Sequence, residues 1–322
     1  MNVLIADKFE THGVDGLKAL GCEVASKAGL DAAAMAKAIA ETKAQVLIVR
    51  STKVPASVIE ASPGLKLIIR AGAGVDNIDV KAASAKGVPV CNCPGMNADA
   101  VAELTMGLLV CCDRRIPEQG ALSREGKWNK GEYSKAPGLK GRTLLVVGTG
   151  SIGMGVARRA QAFGMNVIGW SRSLTPDGAK AKDIGFGGST REDLLKAVGG
   201  ADAVSIHVAA TADTKRMCDA AFFGAMRAGA IFLNTARGDV VDEAALRDAI
   251  RAKGIRAGLD VFEGEPAEKT CDWSPEVMTM PGVVVTHHIG ASTDQAQLAV
   301  ADETVRIVRE FKAGGATPNR VN

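Results

Sequence analysis

Short apolar runs of strand length alternate with helix-period stretches from one end of this chain to the other. That alternation restricts the fold to α/β with parallel sheets. The first third offers strands at Val3–Ala6, Val46–Val49, Leu67–Arg70 and Val88–Cys91, with helical patterns near Gly13–Leu20, Ala32–Ile39 and Pro55–Ile59. From Thr143 a second series begins, with strands at Leu144–Val147, Asn166–Trp170, Ala203–Ile206, Ala230–Leu233, Ile255–Leu259 and Val283–Thr286. Between the two series lie a long apolar helix, Ala98–Cys112, and a polar, broken stretch, Pro117–Leu139.

The 322 residues correspond to about two domains. Six strands with intervening helices match a dinucleotide-binding sheet. The expected fold class is therefore α/β with two doubly wound parallel sheets. A Rossmann-type domain spans 98–290. A flavodoxin-like substrate domain spans 1–97 and is completed by 291–322, because the last helical pattern, Thr293–Ala313, follows the sixth strand and can return to the first sheet. The Ala98–Cys112 helix is apolar almost all round, which predicts burial at a domain or subunit interface and a homodimer.

Composition narrows the partners. Lys plus Arg total 39 and Asp plus Glu 36, a net charge of +3, so neither nucleic acid nor a membrane surface is expected. There is no signal peptide pattern and no apolar run long enough to span a bilayer. The seven cysteines have no zinc-like spacing and read as reduced, mostly buried thiols of a cytoplasmic protein; no metal is expected.

Leu144–Val147 runs directly into Gly148-Thr149-Gly150-Ser151-Ile152-Gly153, followed by a helical pattern and another strand. G-x-G-x-x-G inside such a unit of roughly 30 residues marks a dinucleotide pyrophosphate site. Gly148 permits the tight turn, Gly150 lets backbone approach the pyrophosphate, and Gly153 lets helix and strand pack closely. The next strand ends in Ser171-Arg172, where an NAD-preferring site places a carboxylate for the ribose hydroxyl. A Ser/Arg pair suits a 2′-phosphate, so NAD(P) is expected with NADP favoured.

Ligands of open α/β sheets bind beyond the carboxyl ends of the strands. His207, Asn234–Gly238, Asp260–Pro266 and His287-His288-Ile289-Gly290 all follow strand ends of the second series. Oxidising a 2-hydroxy acid needs a base of near-neutral pKa, a carboxylate to orient it, and a cation for the substrate's carboxylate or carbonyl. His288, Glu265 and Arg237 supply that set.

These stretches, with Asp239–Glu243 and Leu259–Pro266, resemble the D-isomer-specific 2-hydroxyacid dehydrogenases along nearly the whole chain. The resemblance implies that Arg237 binds substrate, His288 is the acid/base and Glu265 its partner. It gives Asp260 a contact to the nicotinamide carboxamide, and Asn97 and Glu103 match the stretch where the interdomain helix begins. The dinucleotide is thus expected against Gly148–Gly153, Ser171, Arg172, His207, Ala236, Asp260 and Gly290. One departure stands out: the family usually has Pro before the histidine, and here it is His287. Spacing from Glu265 and the following Ile-Gly favour His288 as the acid/base, with His287 the alternative. Some members carry a C-terminal serine-sensing domain; this chain stops soon after its last helical pattern and resembles the short form, so no serine feedback of that kind is expected. A dinucleotide-sensing corepressor on the same scaffold is the alternative of a different class.

The first domain addresses the substrate. Gly72-Ala73-Gly74 follows a strand and can present backbone N–H groups to a carboxylate. Arg50, Lys53 and Arg70 follow strand ends of the same sheet, facing the expected cleft. Three cations exceed the need of one carboxylate and suit a small 2-hydroxy or 2-keto acid that also carries phosphate. A non-phosphorylated keto acid is the alternative.

Overall fold

A computed structural model describes residues 1–266 and 270–322. The chain forms two compact units, 1–97 with 292–322, and 98–291.

The first unit holds a five-stranded parallel sheet: β1 (Asn2–Ile5), β2 (Glu23–Ser26), β3 (Val46–Val49), β4 (Leu67–Arg70) and β5 (Val90–Asn92), in the order β2-β1-β3-β4-β5. This is the flavodoxin-like order. Successive side chains point to opposite faces, so both faces of the apolar strands are buried. Leu4, Leu47, Val49 and Ile68 pack with Met35 and Ile39 of α2 (Ala32–Thr42) and Val58 and Ile59 of α3 (Ala56–Glu60). Val3, Ile5, Val46, Ile48, Leu67 and Ile69 pack with Leu17 of α1 (Thr11–Ala19) and with Val300, Val305 and Val308 of the chain's last helix, α14 (Asp294–Gly314). A short helix α4 (Val80–Ala85) precedes β5. The C-terminal residues then run antiparallel beside β5: Val321 N–H donates to Val90 O and Asn92 N–H to Asn319 O. Those bonds cover an edge that would otherwise be open for pairing.

The second unit opens with α5 (Ala98–Arg114), α6 (Ile116–Arg124) and α7 (Lys130–Tyr133). Then β6 (Thr143–Val147), β7 (Asn166–Trp170), β8 (Gly185–Phe186), β9 (Ala203–Ile206), β10 (Ile231–Asn234), β11 (Arg256–Leu259) and β12 (Val283–Val285) alternate with α8 (Ser151–Ala162), α9 (Pro176–Ala181), α10 (Arg191–Gly200), α11 (Ala220–Ala225), α12 (Glu243–Lys253) and α13 (Glu276–Thr279). All seven strands are parallel, in the order β12-β11-β10-β9-β6-β7-β8. The chain reverses direction between β6 and β9, which is the topological switch point of a doubly wound sheet. Leu144 and Val146 face α5 and α8, while Leu145 and Val147 face α10 to α12.

Among the described residues of the second unit, seven strands form where six were expected. β8 is two exposed residues and carries no apolar run. In the first unit, β2 is a half-polar edge strand and α4 a six-residue helix, too short for a periodic signal. The apolar α5 packs against α8, β10, β11 and β12 of its own unit. No helix of the described residues is long and apolar enough to cross a membrane.

Candidate active site

The glycine turn is built by close approach. Gly148 has φ +100°, and a Cβ there would lie 2.5 Å from the His207 carbonyl oxygen. A Cβ on Gly153 would lie 1.9 Å from Gly148 O. At Gly150 a Cβ would meet nothing within 4 Å, so the turn is open on that side. Gly150 also caps α8 without a side-chain hydrogen bond, leaving first-turn N–H groups for an anion. These features fit a dinucleotide pyrophosphate.

Around the turn, Thr149 Oγ1 and Ser171 Oγ lie 3.2 Å apart. Arg172 Nη1 lies 2.5 Å from Asp213 Oδ2. The His207 Nε2 meets Ser205 Oγ at 2.7 Å, and its buried Nδ1 has no partner among the described residues. Burial pushes this imidazole down to about 3, so it is neutral at physiological pH.

Beyond β12 the backbone turns sharply, with His288 at φ +50°. A buried carboxylate holds that turn. Asp260 accepts hydrogen bonds from Thr286 Oγ1 (2.5 Å), Ile289 N (2.9 Å) and Gly290 N (2.9 Å), and its carbonyl accepts from His288 N (2.8 Å). Both carboxylate oxygens of Asp260 thus hold the turn that carries His288. The His288 ring is half-exposed, with Nδ1 2.7 Å from Glu265 Oε2. Glu265 is fixed in turn by the Phe262 N–H donating to its Oε1 at 2.6 Å. His287 is exposed and has no hydrogen bond or ion pair among the described residues.

Arg237 follows β10. Asn234, buried, ties the turn by donating from Nδ2 to Arg237 O (2.9 Å) and accepting from Ala236 N (3.0 Å). Arg237 Nη1 donates to Ala236 O at 2.7 Å. The next residue is glycine because the two loops touch: a Cβ on Gly238 would sit 1.9 Å from Phe262 O. Glu243, part of the family-like stretch but given no role from the sequence, accepts from Glu263 N at 2.7 Å and so anchors the loop carrying Glu265; burial raises its pKa.

In the first unit, the loop after β3 is organised by Asp7, which was also missed. Its Oδ2 accepts from the N–H groups of Arg50 (2.6 Å), Ser51 (3.1 Å) and Thr52 (3.0 Å). The signal was present, since Asp7 follows an apolar strand just as Asp260 does. Arg50 Nη1 donates to Gln297 Oε1 at 3.0 Å, and Lys53 is exposed. Arg70 lies over Gly72, where φ is +147° and a Cβ would fall 1.6 Å from Arg70 Nη1. Asn92 Nδ2 donates to Ala73 O at 2.5 Å and Cys93 N to Gly72 O at 2.9 Å, pinning the glycine loop to the end of β5. The buried Asn97 Oδ1 has no partner among the described residues.

In the second unit, an open doubly wound sheet thus carries a glycine turn at its switch point and a His–Glu pair and an arginine on the same edge, which defines a nicotinamide dinucleotide-binding unit of the oxidoreductase class. Residues 106–290 match the family model described as D-isomer specific 2-hydroxyacid dehydrogenase, NAD binding domain, and the chain belongs to that family. It is 37% identical over its whole length to D-3-phosphoglycerate dehydrogenase of Methanocaldococcus jannaschii, spanning 59% of that relative. It is 43% identical over 270 residues to hydroxypyruvate reductase of Thermotoga maritima, covering 83% of this chain and 84% of the relative. Among solved structures, the NADPH-dependent glyoxylate/hydroxypyruvate reductase of Sinorhizobium meliloti, in complex with NADP and malonate, matches with a TM-score of 0.84 and 28% identity over 99% of this chain and 96% of that one. The chain spans about three-fifths of the length of the phosphoglycerate dehydrogenases it matches (59% for the first).

Proposed function

We propose that this chain is an NAD(P)-dependent D-2-hydroxyacid dehydrogenase acting on 3-phospho-D-glycerate and 3-phosphohydroxypyruvate. The observation that carries the reaction type is the His288–Glu265 pair at 2.7 Å beside the glycine-turn sheet edge. Glu265 engages Nδ1 and fixes the ring, which leaves Nε2 to exchange a proton with the substrate's C2 oxygen. In the oxidation, Nε2 takes the hydroxyl proton as the C2–H bond breaks, and Glu265 stabilises the imidazolium. The bound nicotinamide supplies the acceptor or donor of the hydride. Arg237 offers a guanidinium to the substrate carboxylate or carbonyl oxygen.

The phosphorylated substrate is supported by the cations past strand ends of the first unit. Gly72–Gly74 and Asn97 receive the carboxylate, and Arg50, Lys53 and Arg70 receive the phosphate. Asp7 holds the Arg50 loop and Gln297 steers the Arg50 side chain. The phosphoglycerate dehydrogenase relatives agree with this reading. A second reading, hydroxypyruvate/glyoxylate reductase, is favoured by the relative at 43% identity that matches this chain over 84% of its own length.

Steady-state kinetics separate the two. Arg50→Ala should lower kcat/KM for phosphohydroxypyruvate by about 10- to 100-fold, the loss of a charge-assisted contact, and leave hydroxypyruvate within about threefold. Equal loss on both substrates removes the phosphate assignment. No turnover of any 2-keto acid, with dinucleotide still bound tightly, turns the reading to a sensor.

A further inference from the structure

The Arg172–Asp213 ion pair has a particular position in the sheet. Arg172 follows β7 and Asp213 lies in the segment after β9, and these strands flank β6 on its two sides. The pair therefore runs from one side of the glycine turn to the other. Thr149 and Ser171 tie the same end of β7 to the turn. The Asp213 loop is built rather than loose. The buried Thr214 Oγ1 accepts from Thr211 N at 2.8 Å and donates to Ala209 O at 2.6 Å, so the backbone beside Asp213 is fixed while its side chain stays outside.

From the sequence alone, Ser171 and Arg172 read as a receptor for a ribose 2′-phosphate. Asp213 changes the charge count there from +1 to zero. A 2′-phosphate drawn to Arg172 meets a carboxylate already on that guanidinium, and like charges at such spacing repel. The side chains are 61% and 71% exposed, so the pair stands at the surface, where an incoming nucleotide meets both charges together.

We propose that Asp213 is a specificity-determining residue that acts through Arg172: it withholds the guanidinium from a ribose 2′-phosphate, so that this site takes NAD(H) in preference to NADP(H). The proposal rests on the dinucleotide reading of the glycine turn and not on the identity of the substrate.

The test is direct titration of the purified chain with NADH and NADPH, followed by nicotinamide fluorescence, for wild type, Asp213→Asn, Arg172→Ala and the double variant. Binding is read without turnover, so a wrong substrate assignment leaves the result intact. The wild type should bind NADH more tightly. Asp213→Asn should lower the Kd ratio, NADPH over NADH, by about five- to tenfold, mostly through tighter NADPH. In the Arg172→Ala background the same change should shift the ratio by less than about twofold. A wild-type preference for NADPH, a fall below about threefold, or an equal fall without Arg172 overturns the proposal.

Discussion

At the scale of single residues, the sheet edge of the second unit carries two kinds of imidazole, the half-exposed His288 and the buried His207. His207 belongs to the second kind. Its pKa is depressed to about 3 by burial, so an unfolded chain takes up a proton below about 6.5 that the folded chain refuses. Stability from this group is complete above the unfolded pKa and falls as pH drops from about 6.5 toward 3, by about 1.4 kcal/mol per pH unit. Urea unfolding of wild type and His207→Gln at pH 7.5 and 5.0 checks this. The wild type should lose about 2 kcal/mol more than the variant over that interval. Equal losses would mean that the imidazole titrates normally in the fold. Glu243 runs the other way. Its raised pKa makes the folded chain hold a proton longer than the unfolded one, so its contribution to stability declines as pH rises through its folded pKa.

At the scale of elements, α5 shows how the edge is backed. Its Leu108 and Cys112 rest on Gly258 of β11, where a Cβ would lie 2.9 Å from Leu108 Cβ and 2.8 Å from Leu233 Cδ2. From the same helix, Thr105 Oγ1 meets Thr235 Oγ1 at 2.8 Å, two residues before Arg237. Gly258→Ala should therefore cost about 1–3 kcal/mol through overpacking, read as a drop in Tm of about 2–4 °C per kcal/mol. An unchanged Tm would mean that the helix shifts freely on the sheet. The elements that were legible in the sequence are those with two buried faces, such as β3, β4 and β9, where apolar residues run nearly unbroken, with only Arg70 at the end of β4 and the buried Ser205 in β9 departing. β2, β8 and α6 were not, since their residues are largely exposed and leave no periodic trace. The site follows the same logic. His288, Glu265, Arg237 and the glycine turn stand immediately past apolar runs. Glu243 and Asp213 meet their partners only through the fold, Asp213 pairing with Arg172 from 41 residues away.

At the scale of the whole molecule, the two units differ in how the chain completes them. Residues 98–291 are contiguous, whereas 1–97 are finished by 292–322. A chain stopped after Ala291 removes Val300, Ala301, Val305, Ile307 and Val308, all buried. It should keep a cooperative thermal transition for 98–291 with binding of a dinucleotide, and lose the transition of the first unit. Two intact transitions in calorimetry of the truncated chain would show that α14 is dispensable to the first sheet.

That discontinuity also sets an order in time. During synthesis β1–β5 leave the ribosome with Val3, Ile5, Val46, Ile48, Leu67 and Ile69 on a face that α14 has not yet covered. The covering segment starts at residue 292, 195 residues after 97 (292 − 97 = 195). At about 5–20 residues per second that is a wait of roughly 10–40 s. The dinucleotide unit, made second, is complete first, and for the interval the nascent chain presents an aliphatic sheet face that only α1 covers.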